Sequence, residues 1–512
     1  MKILIPLILI LSLNFVFSLL PKYPHIYQVS ARAWLYSLSQ KEKRNLTLND
    51  IPDSVFEDLN TKGFDFLYLL GIWSLGEIGL KIDQGNLKDF QSILEDVQIE
   101  DIIGSPFAIT NYTCNIELCP NGDEDLINFR KRLRKYNIKL ILDFVPNHSA
   151  IDSPLVHLYP SFYIRMPTTE SYETYDKNTY YKINDTLIIA YGGMKGATWP
   201  DVLQLNYWDL GLRTFMTQQL MKIASLADGI RCDTSSIIFN DYFEETWNTQ
   251  LNFYGYQKPK NEFWGQAIGK VKTKYPNTIF ITETDSDDHL KMFNQGFDYS
   301  FEKTLIDKLL KPHLDDTRRI ITELAKYNHQ LCRYLENHDN NRFFSKIPES
   351  RAKAAIYLTY TLPGLRFFFQ DQWLGLKNRL DIHLRRSQPE DGSSVLKNFY
   401  NNFLFNFLKK DVMKNGEWSY VNIRPSSESW RLMAWKWLDK NTETKYLIVI
   451  CYNEIKCAGQ IIIDDTLGKE GGKITINELV SGDIHTREVN DLKYNGLYVI
   501  VGEWNAQIFE YK

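Results

Sequence analysis

Apolar runs and amphipathic stretches take turns along most of this chain. "GFDFLYLLGIW" (Gly63 to Trp73) is one apolar run. "LINFRKRLRKYNIKLILDFVPNH" (Leu126 to His148) places an amphipathic helix pattern directly before another. The design returns in "LRTFMTQQLMKIASLADGIRCD" (Leu212 to Asp233) and in "AIGKVKTKYPNTIFITETD" (Ala267 to Asp285). "AKYNHQLCRYLENHD" (Ala325 to Asp339) supplies a further strand. "AAIYLTYTLPGLRFFF" (Ala354 to Phe369) reads as helix, Pro-Gly turn and strand. Continuous apolar strands between helices predict a parallel sheet covered on both faces. This many units in one chain predict an α/β fold of the (β/α)8 TIM-barrel kind.

Two regions depart from that rhythm. Residues 149–206 are rich in Tyr, Thr, Asn and Gly and lack helical period. They predict a loop-rich domain inserted after the third barrel strand. From about Lys410, short alternating segments such as "RLMAWKWL", "KYLIVICY" and "GLYVIVG" predict a C-terminal antiparallel β-sandwich. The expected division is a leader over 1–18, barrel over 19–148 and 207–409, the insertion over 149–206, and the sandwich over 410–512.

Composition narrows the class of protein. The 512 residues are 44% hydrophobic and 24% charged, with a net charge of −4, which predicts a globular chain without the basic surface that nucleic-acid binding requires. Aromatic residues are abundant (12 Trp, 30 Tyr, 29 Phe), a content that suits both a large core and a sugar-binding cleft. "MKILIPLILILSLNFVFSLL" opens the chain with one Lys and an apolar run. It reads as a secretory signal peptide, the alternative being an uncleaved membrane anchor. A secreted protein, or one in the lumen of the secretory or lysosomal route, is therefore expected, as is a monomer with no membrane contact once the leader is removed. Six cysteines suit an oxidising compartment. Cys114 and Cys119 lie close in sequence, as do Cys451 and Cys457, although spacing alone does not assign pairs. Cys232 and Cys332 fall within predicted strands, as buried thiols would. Asn45, Asn111 and Asn184 head glycosylation sequons; Asn147 also does, but within a predicted cleft.

The chemistry gathers at strand ends. "LILDFVPNH" ends in Asp143, Asn147 and His148, and "DGIRCD" in Arg231 and Asp233. "IFITETD" ends in Glu283 and Asp285, and "YLENHD" in His338 and Asp339. Singly, each residue suits a structural ion pair or a solvated rim. In a parallel barrel, however, these C-terminal ends converge on one mouth. Crowded buried carboxylates repel and cost free energy, so the arrangement calls for a use. Carboxylates, a guanidinium and imidazoles without a Cys/His metal cluster suit glycoside hydrolysis. One carboxylate serves near the anomeric carbon, and one carboxylic acid protonates the leaving oxygen. An adjacent Arg keeps the first ionised and aimed.

These motifs resemble the four conserved regions of the α-amylase family, glycoside hydrolase family 13: "DFVPNH", "GIRCD", "ITETD" and "ENHD", in that order. "LQLN" (Leu203 to Asn206), "GFDFLYLLGIW" and "LPGLRFFFQDQ" are similar to weaker motifs of the family. The resemblance implies Asp233 as nucleophile, Glu283 as general acid/base and Asp339 as transition-state stabiliser. It implies substrate contacts from Arg231, His148 and His338, with Asp143, Asn147 and Asn206 shaping the site. Phe107 or Tyr112 stands where the family offers a Tyr to stack on the cleaved sugar. The implied reaction is double displacement with retention on α-glucosidic bonds, which requires no cofactor. After the nucleophile, "TSSII" replaces the family's Lys-His pair. A structural calcium is therefore doubtful, and no metal ligand is assigned. The chain looks like a divergent member of unassigned specificity. The resemblance leaves open a transglycosylase or glucosyl isomerase, and a catalytically silent ectodomain like those of transporter heavy chains.

Overall fold

The computed structural model describes residues 20–167, 175–284, 286–311, 314–463 and 471–512. The expected leader over 1–18, and Asp285, lie outside the described residues. Eight parallel strands close a barrel. In chain order they are β1 (His25–Ser30), β2 (Phe66–Leu70), β3 (Lys139–Phe144), β4 (Gly229–Cys232), β5 (Ile279–Thr282), β6 (Tyr299–Phe301), β7 (Leu331–Arg333) and β8 (Leu365–Phe369). Neighbours in the barrel are neighbours in sequence, with β1 sealing against β8. The chain thus has the (β/α)8 fold that its hydrophobic rhythm predicts.

The helix Asp123–Lys135 shows how the sequence builds one unit. Asp123, Glu124 and Asp125 sit in its first turn and Arg132, Arg134 and Lys135 in its last, each group at the helix end whose partial charge it opposes. Leu126, Phe129 and Leu133 are buried, at the three- and four-residue spacing that forms one face. Arg130 and Arg134 then reach Asp228 at the foot of β4, at 2.6 and 2.8 Å. In this way the helix is fixed to the strand that carries Arg231.

Two details depart from the sequence reading. The insertion is more regular than its composition suggests. Strands His148–Ala150, Tyr180–Asn184, Leu187–Met194 and Ala197–Gln204 form a four-stranded sheet, antiparallel at each pairing. Its polar residues conceal the period because only part of each of the three longer strands is buried. In "AKYNHQLCRYLENHD", only Leu331–Arg333 is strand; residues Ala325–Gln330 form a 3-10 helix before it.

At the C-terminus, six antiparallel strands form one sheet, with a two-stranded sheet beside it. Alternation along Leu432–Leu438 divides its two faces. Leu432 and Ala434 join the core between the sheets. Met433, Trp435 and Trp437 join the barrel core instead. Both indoles donate to Thr361, Trp435 to the hydroxyl at 3.1 Å and Trp437 to the carbonyl at 2.8 Å, tying the sheet to the barrel. Disulfides join Cys114 to Cys119 and Cys451 to Cys457, while Cys232 and Cys332 are free and buried.

Candidate active site

Strand register brings the first charged residues together. Arg231 of β4 pairs in register with Asp143 of β3 and Ile281 of β5. Its guanidinium, 2% exposed, lies among three carboxylates. One terminal nitrogen, Nη1, bonds Asp233 at 2.7 Å and reaches Asp143 at 3.3 Å. The other, Nη2, bonds Glu283 at 2.6 Å. The backbone then fixes the strand ends. The amide of Asp233 donates to the Phe144 carbonyl at 2.9 Å, and that of Glu283 to the Cys232 carbonyl at 3.1 Å. Asp339 enters from the turn after β7. Its backbone amide donates to the Asn337 side chain at 3.2 Å, and its carboxylate lies 3.3 Å from His338 Nε2. Exposure rises from Asp233 (7%) through Glu283 (30%) to Asp339 (42%), so the cluster opens outward at the barrel mouth.

Three carboxylates share this one guanidinium with Asp339 nearby, and burial drives their proton affinity up, like charges adding to it. Burial pushes Asp143 up to about 7, and Arg231 offsets only part of that. Burial likewise lifts Glu283 to about 6, with Asp339 and Asp233 adding to it against Arg231. Asp233 is raised in the same direction, chiefly by burial. The histidines move the other way. Burial takes His148 down to about 4 and, with Arg231 nearby, His338 to about 3. Near neutral pH both rings are uncharged hydrogen-bonding groups. Gln28 on β1 holds His338 Nδ1 at 2.9 Å, and the Tyr68 hydroxyl on β2 donates to Asp143 at 2.5 Å. Neither partner was singled out from the sequence. A polar residue inside a fully buried strand was the available signal in both cases.

The two aromatic candidates separate. Phe107 is half-buried, with its ring 5.6 Å from that of His338 and 5.4 Å from the Arg231 guanidinium. Arg32 holds its loop by donating to the carbonyls of Ile103 and Gly104. Tyr112 instead stacks on Phe144 and buries its hydroxyl against Val145, accepting from the amide at 3.0 Å and donating to the carbonyl at 2.9 Å. It belongs to the wall behind the site and lines an apolar cavity of about 110 Å³ with Val145, His148 and Leu205. His148 packs edge-on to Trp199 of the inserted sheet, ring centres 5.2 Å apart.

Asn147 and Asn206 are engaged in structure. Gln204 donates to the Asn147 side-chain oxygen at 2.8 Å and accepts from its nitrogen at 3.2 Å, closing an amide–amide pair between barrel and insertion. That pair is neutral and brings no carboxylate to a divalent cation. Among the described residues, no three His, Cys, Asp or Glu side chains are grouped to hold one. Asn206 is fully buried; its side-chain oxygen accepts from the Trp208 amide at 3.1 Å.

Comparison with known proteins bears on the fold that carries these residues. The family model "Alpha amylase, catalytic domain" matches residues 200–444, a span that contains Arg231, Asp233, Glu283 and Asp339. Over that span the chain is similar to the α-amylase family. Among curated relatives, Alpha-amylase 3 of Dictyoglomus thermophilum is 24% identical over 55% of the chain and 56% of its own length. Alpha-amylase MalA of Haloarcula japonica is 23% identical over 50% of the chain and 34% of its own length. The matches therefore span about half or less of those relatives. Two solved structures share the fold over 96% of the chain and 99% of their own. They are a noncanonic maltogenic α-amylase, AmyB, from Thermotoga neapolitana (20% identity, TM-score 0.66) and an α-amylase from Geobacillus thermoleovorans complexed with acarbose (15% identity, TM-score 0.67). At those identities the likeness is one of fold.

Proposed function

We propose that this chain is a member of the α-amylase family and a retaining α-glycoside hydrolase acting on the α-glucosidic bonds of oligo- or polysaccharides. One observation carries the reading: a single buried guanidinium is bonded to the carboxylates of both Asp233 and Glu283. Sharing one Arg keeps the two groups close. Retaining chemistry uses a separation of about 5–5.5 Å, whereas inversion needs about 6.5–9.5 Å to admit a water molecule.

The proposed roles follow from environment. Asp233 is the more buried of the two and is held by two bonds that favour its ionised form, so it is the nucleophile. Glu283 is more open and has its proton affinity raised to about 6, so it is the acid. Asp233 attacks the anomeric carbon as the glycosidic C–O bond breaks, and the departing oxygen takes the Glu283 proton. Glu283 then accepts a proton from water as that water attacks the same carbon and releases Asp233. Asp339 stabilises the positive charge that develops on the ring. Phe107 offers a flat face to the sugar, while neutral His148 and His338 donate or accept at its hydroxyls.

A place in the secretory route is part of the proposal. The apolar N-terminal run, the two disulfides and the exposed sequon residues Asn45, Asn111 and Asn184 support it. The test is a panel of maltose, sucrose, trehalose and starch with product analysis. Wild type releases α-configured product from at least one of them, and Asp233→Asn releases none. Wild-type turnover by the Asn variant would remove the assignment. Transfer products in place of free sugar would make the enzyme a transglycosylase.

A further inference from the structure

We propose that Thr234 is a positioning residue that aims both reacting carboxylates at once; this rests on the roles just assigned to Asp233 and Glu283. The Thr234 backbone lies at φ 37° and ψ 45°, in the left-handed region. A β-branched residue rarely occupies that region, and doing so costs free energy. Glycine would sit there without strain, yet the chain carries threonine.

The surrounding bonds hold this conformation in place. Ser235 donates from its amide to the Glu283 carbonyl at 2.9 Å and from its hydroxyl to the Cys232 carbonyl at 2.8 Å. The Trp264 indole donates to the Ser235 carbonyl at 2.9 Å. Residues on either side of Thr234 are therefore pinned, and the turn between them is forced.

The left-handed turn directs two groups into the site. The Thr234 amide donates to Glu283 Oε2 at 3.0 Å. Its hydroxyl donates to Asp233 Oδ2 at 3.1 Å. With Arg231 on Asp233 Oδ1 and on Glu283 Oε2, the described residues grip the nucleophile at both oxygens and the acid at one. Glu283 Oε1 is left for the proton it must pass to the leaving group. An extended residue at 234 would turn the amide away and leave both carboxylates to Arg231 alone.

The hydroxyl has a consequence that packing alone would not produce. Donating to Asp233 favours its ionised form. The other titratable and charged groups around Asp233 are Arg231 and Cys232 on its own strand, Asp143 from β3, Glu283 after β5, Asp339 after β7, and the hydroxyls of Tyr68 and Tyr112. Thr234→Val retains all of these and the backbone amide, and removes only the hydroxyl.

The experiment compares Thr234→Val, Thr234→Ser and Thr234→Gly with wild type and Asp233→Asn, on the best substrate of the α-glucoside panel. It records kcat and KM against pH and the melting temperature of each variant. Thr234→Val loses about tenfold in kcat, the factor carried by one hydrogen bond to a charged group, with KM little changed. Its acidic limb in kcat/KM moves to higher pH, because Asp233 protonates more easily. Thr234→Ser restores both. Thr234→Gly loses activity like the Val variant while melting no lower than wild type, because the turn is relaxed. Unchanged kcat and pH limb in Thr234→Val would overturn the inference. So would activity losses in Val and Gly that only follow melting temperature. If Asp233→Asn retained full turnover, the reading of the site itself would fall, whatever the Thr234 variants did.

Discussion

The two ends of the barrel handle buried charge in opposite ways. At the foot of the strands, carboxylates are outmatched by donors. Asp228 accepts from Arg130, Arg134 and the Leu140 amide. Burial pushes its carboxyl up, but the hydrogen bonds from Arg130 and Arg134 win and leave it below the usual range. Asp65 takes Lys414 and the His25 amide at the same end. Arg366, also there, is fully buried and donates to the carbonyls of Tyr360, Met413 and Leu362. At the mouth, four carboxylates face one guanidinium. Asp143 Oδ2 and Arg231 Nε are buried there without hydrogen-bond partners among the described residues, and Thr234 is strained. The lesson is one of balance. The foot is arranged for stability. The mouth holds groups in states that water would not favour, and a catalytic site requires that.

The sharpest way to break this contrast is to exchange the consequences. Glu283→Gln keeps size and shape but cannot donate a proton or take one back. Turnover should fall about 10²–10⁴-fold, measured as kcat on a natural α-glucoside. At the foot, Lys414→Met leaves the half-buried Asp65 without its cation. Stability should fall by about 1–3 kcal/mol in denaturant titration, while kcat per folded molecule stays near wild type. An active-site defect from the foot, or a folding defect from the mouth, would erase the distinction.

A smaller effect sharpens it. The Glu283 carboxyl titrates near 6 in the folded protein, above its ordinary value of 4.5. A raised carboxyl contributes its stability below the unfolded value and loses it as pH rises through the folded one. Glu283→Gln, which does not titrate, should therefore gain melting temperature relative to wild type as pH rises from about 4.5 to beyond about 6. A difference independent of pH would mean that the mouth stores no such charge.

Much of this contrast can be read from the chain. Carboxylates at the ends of apolar runs locate the mouth, because a parallel barrel brings those ends together. The helix–strand rhythm gives the fold for the same reason. What escapes the reading depends on geometry across strands. Gln28 and Tyr68 lie mid-strand, and only closure of β1 and β2 against the rest brings them to His338 and Asp143. Gln204 is one polar residue among many in the insertion until its strand pairs with His148–Ala150. Thr234 looks ordinary in "CDTSS", since nothing in composition foretells a left-handed threonine. Tyr112 and Phe107 are equivalent in the sequence, and only burial of the Tyr112 hydroxyl tells them apart.

The most direct test of the account is to catch the covalent intermediate. Glu283→Gln, which cannot activate water, would be given an α-glucosyl fluoride whose leaving group needs no acid. Peptide mass spectrometry would then locate any sugar. The account predicts one glucosyl ester on Asp233, absent in the Glu283→Gln, Asp233→Asn double variant. A sugar on another residue, or hydrolysis by the double variant as fast as by wild type, would contradict it.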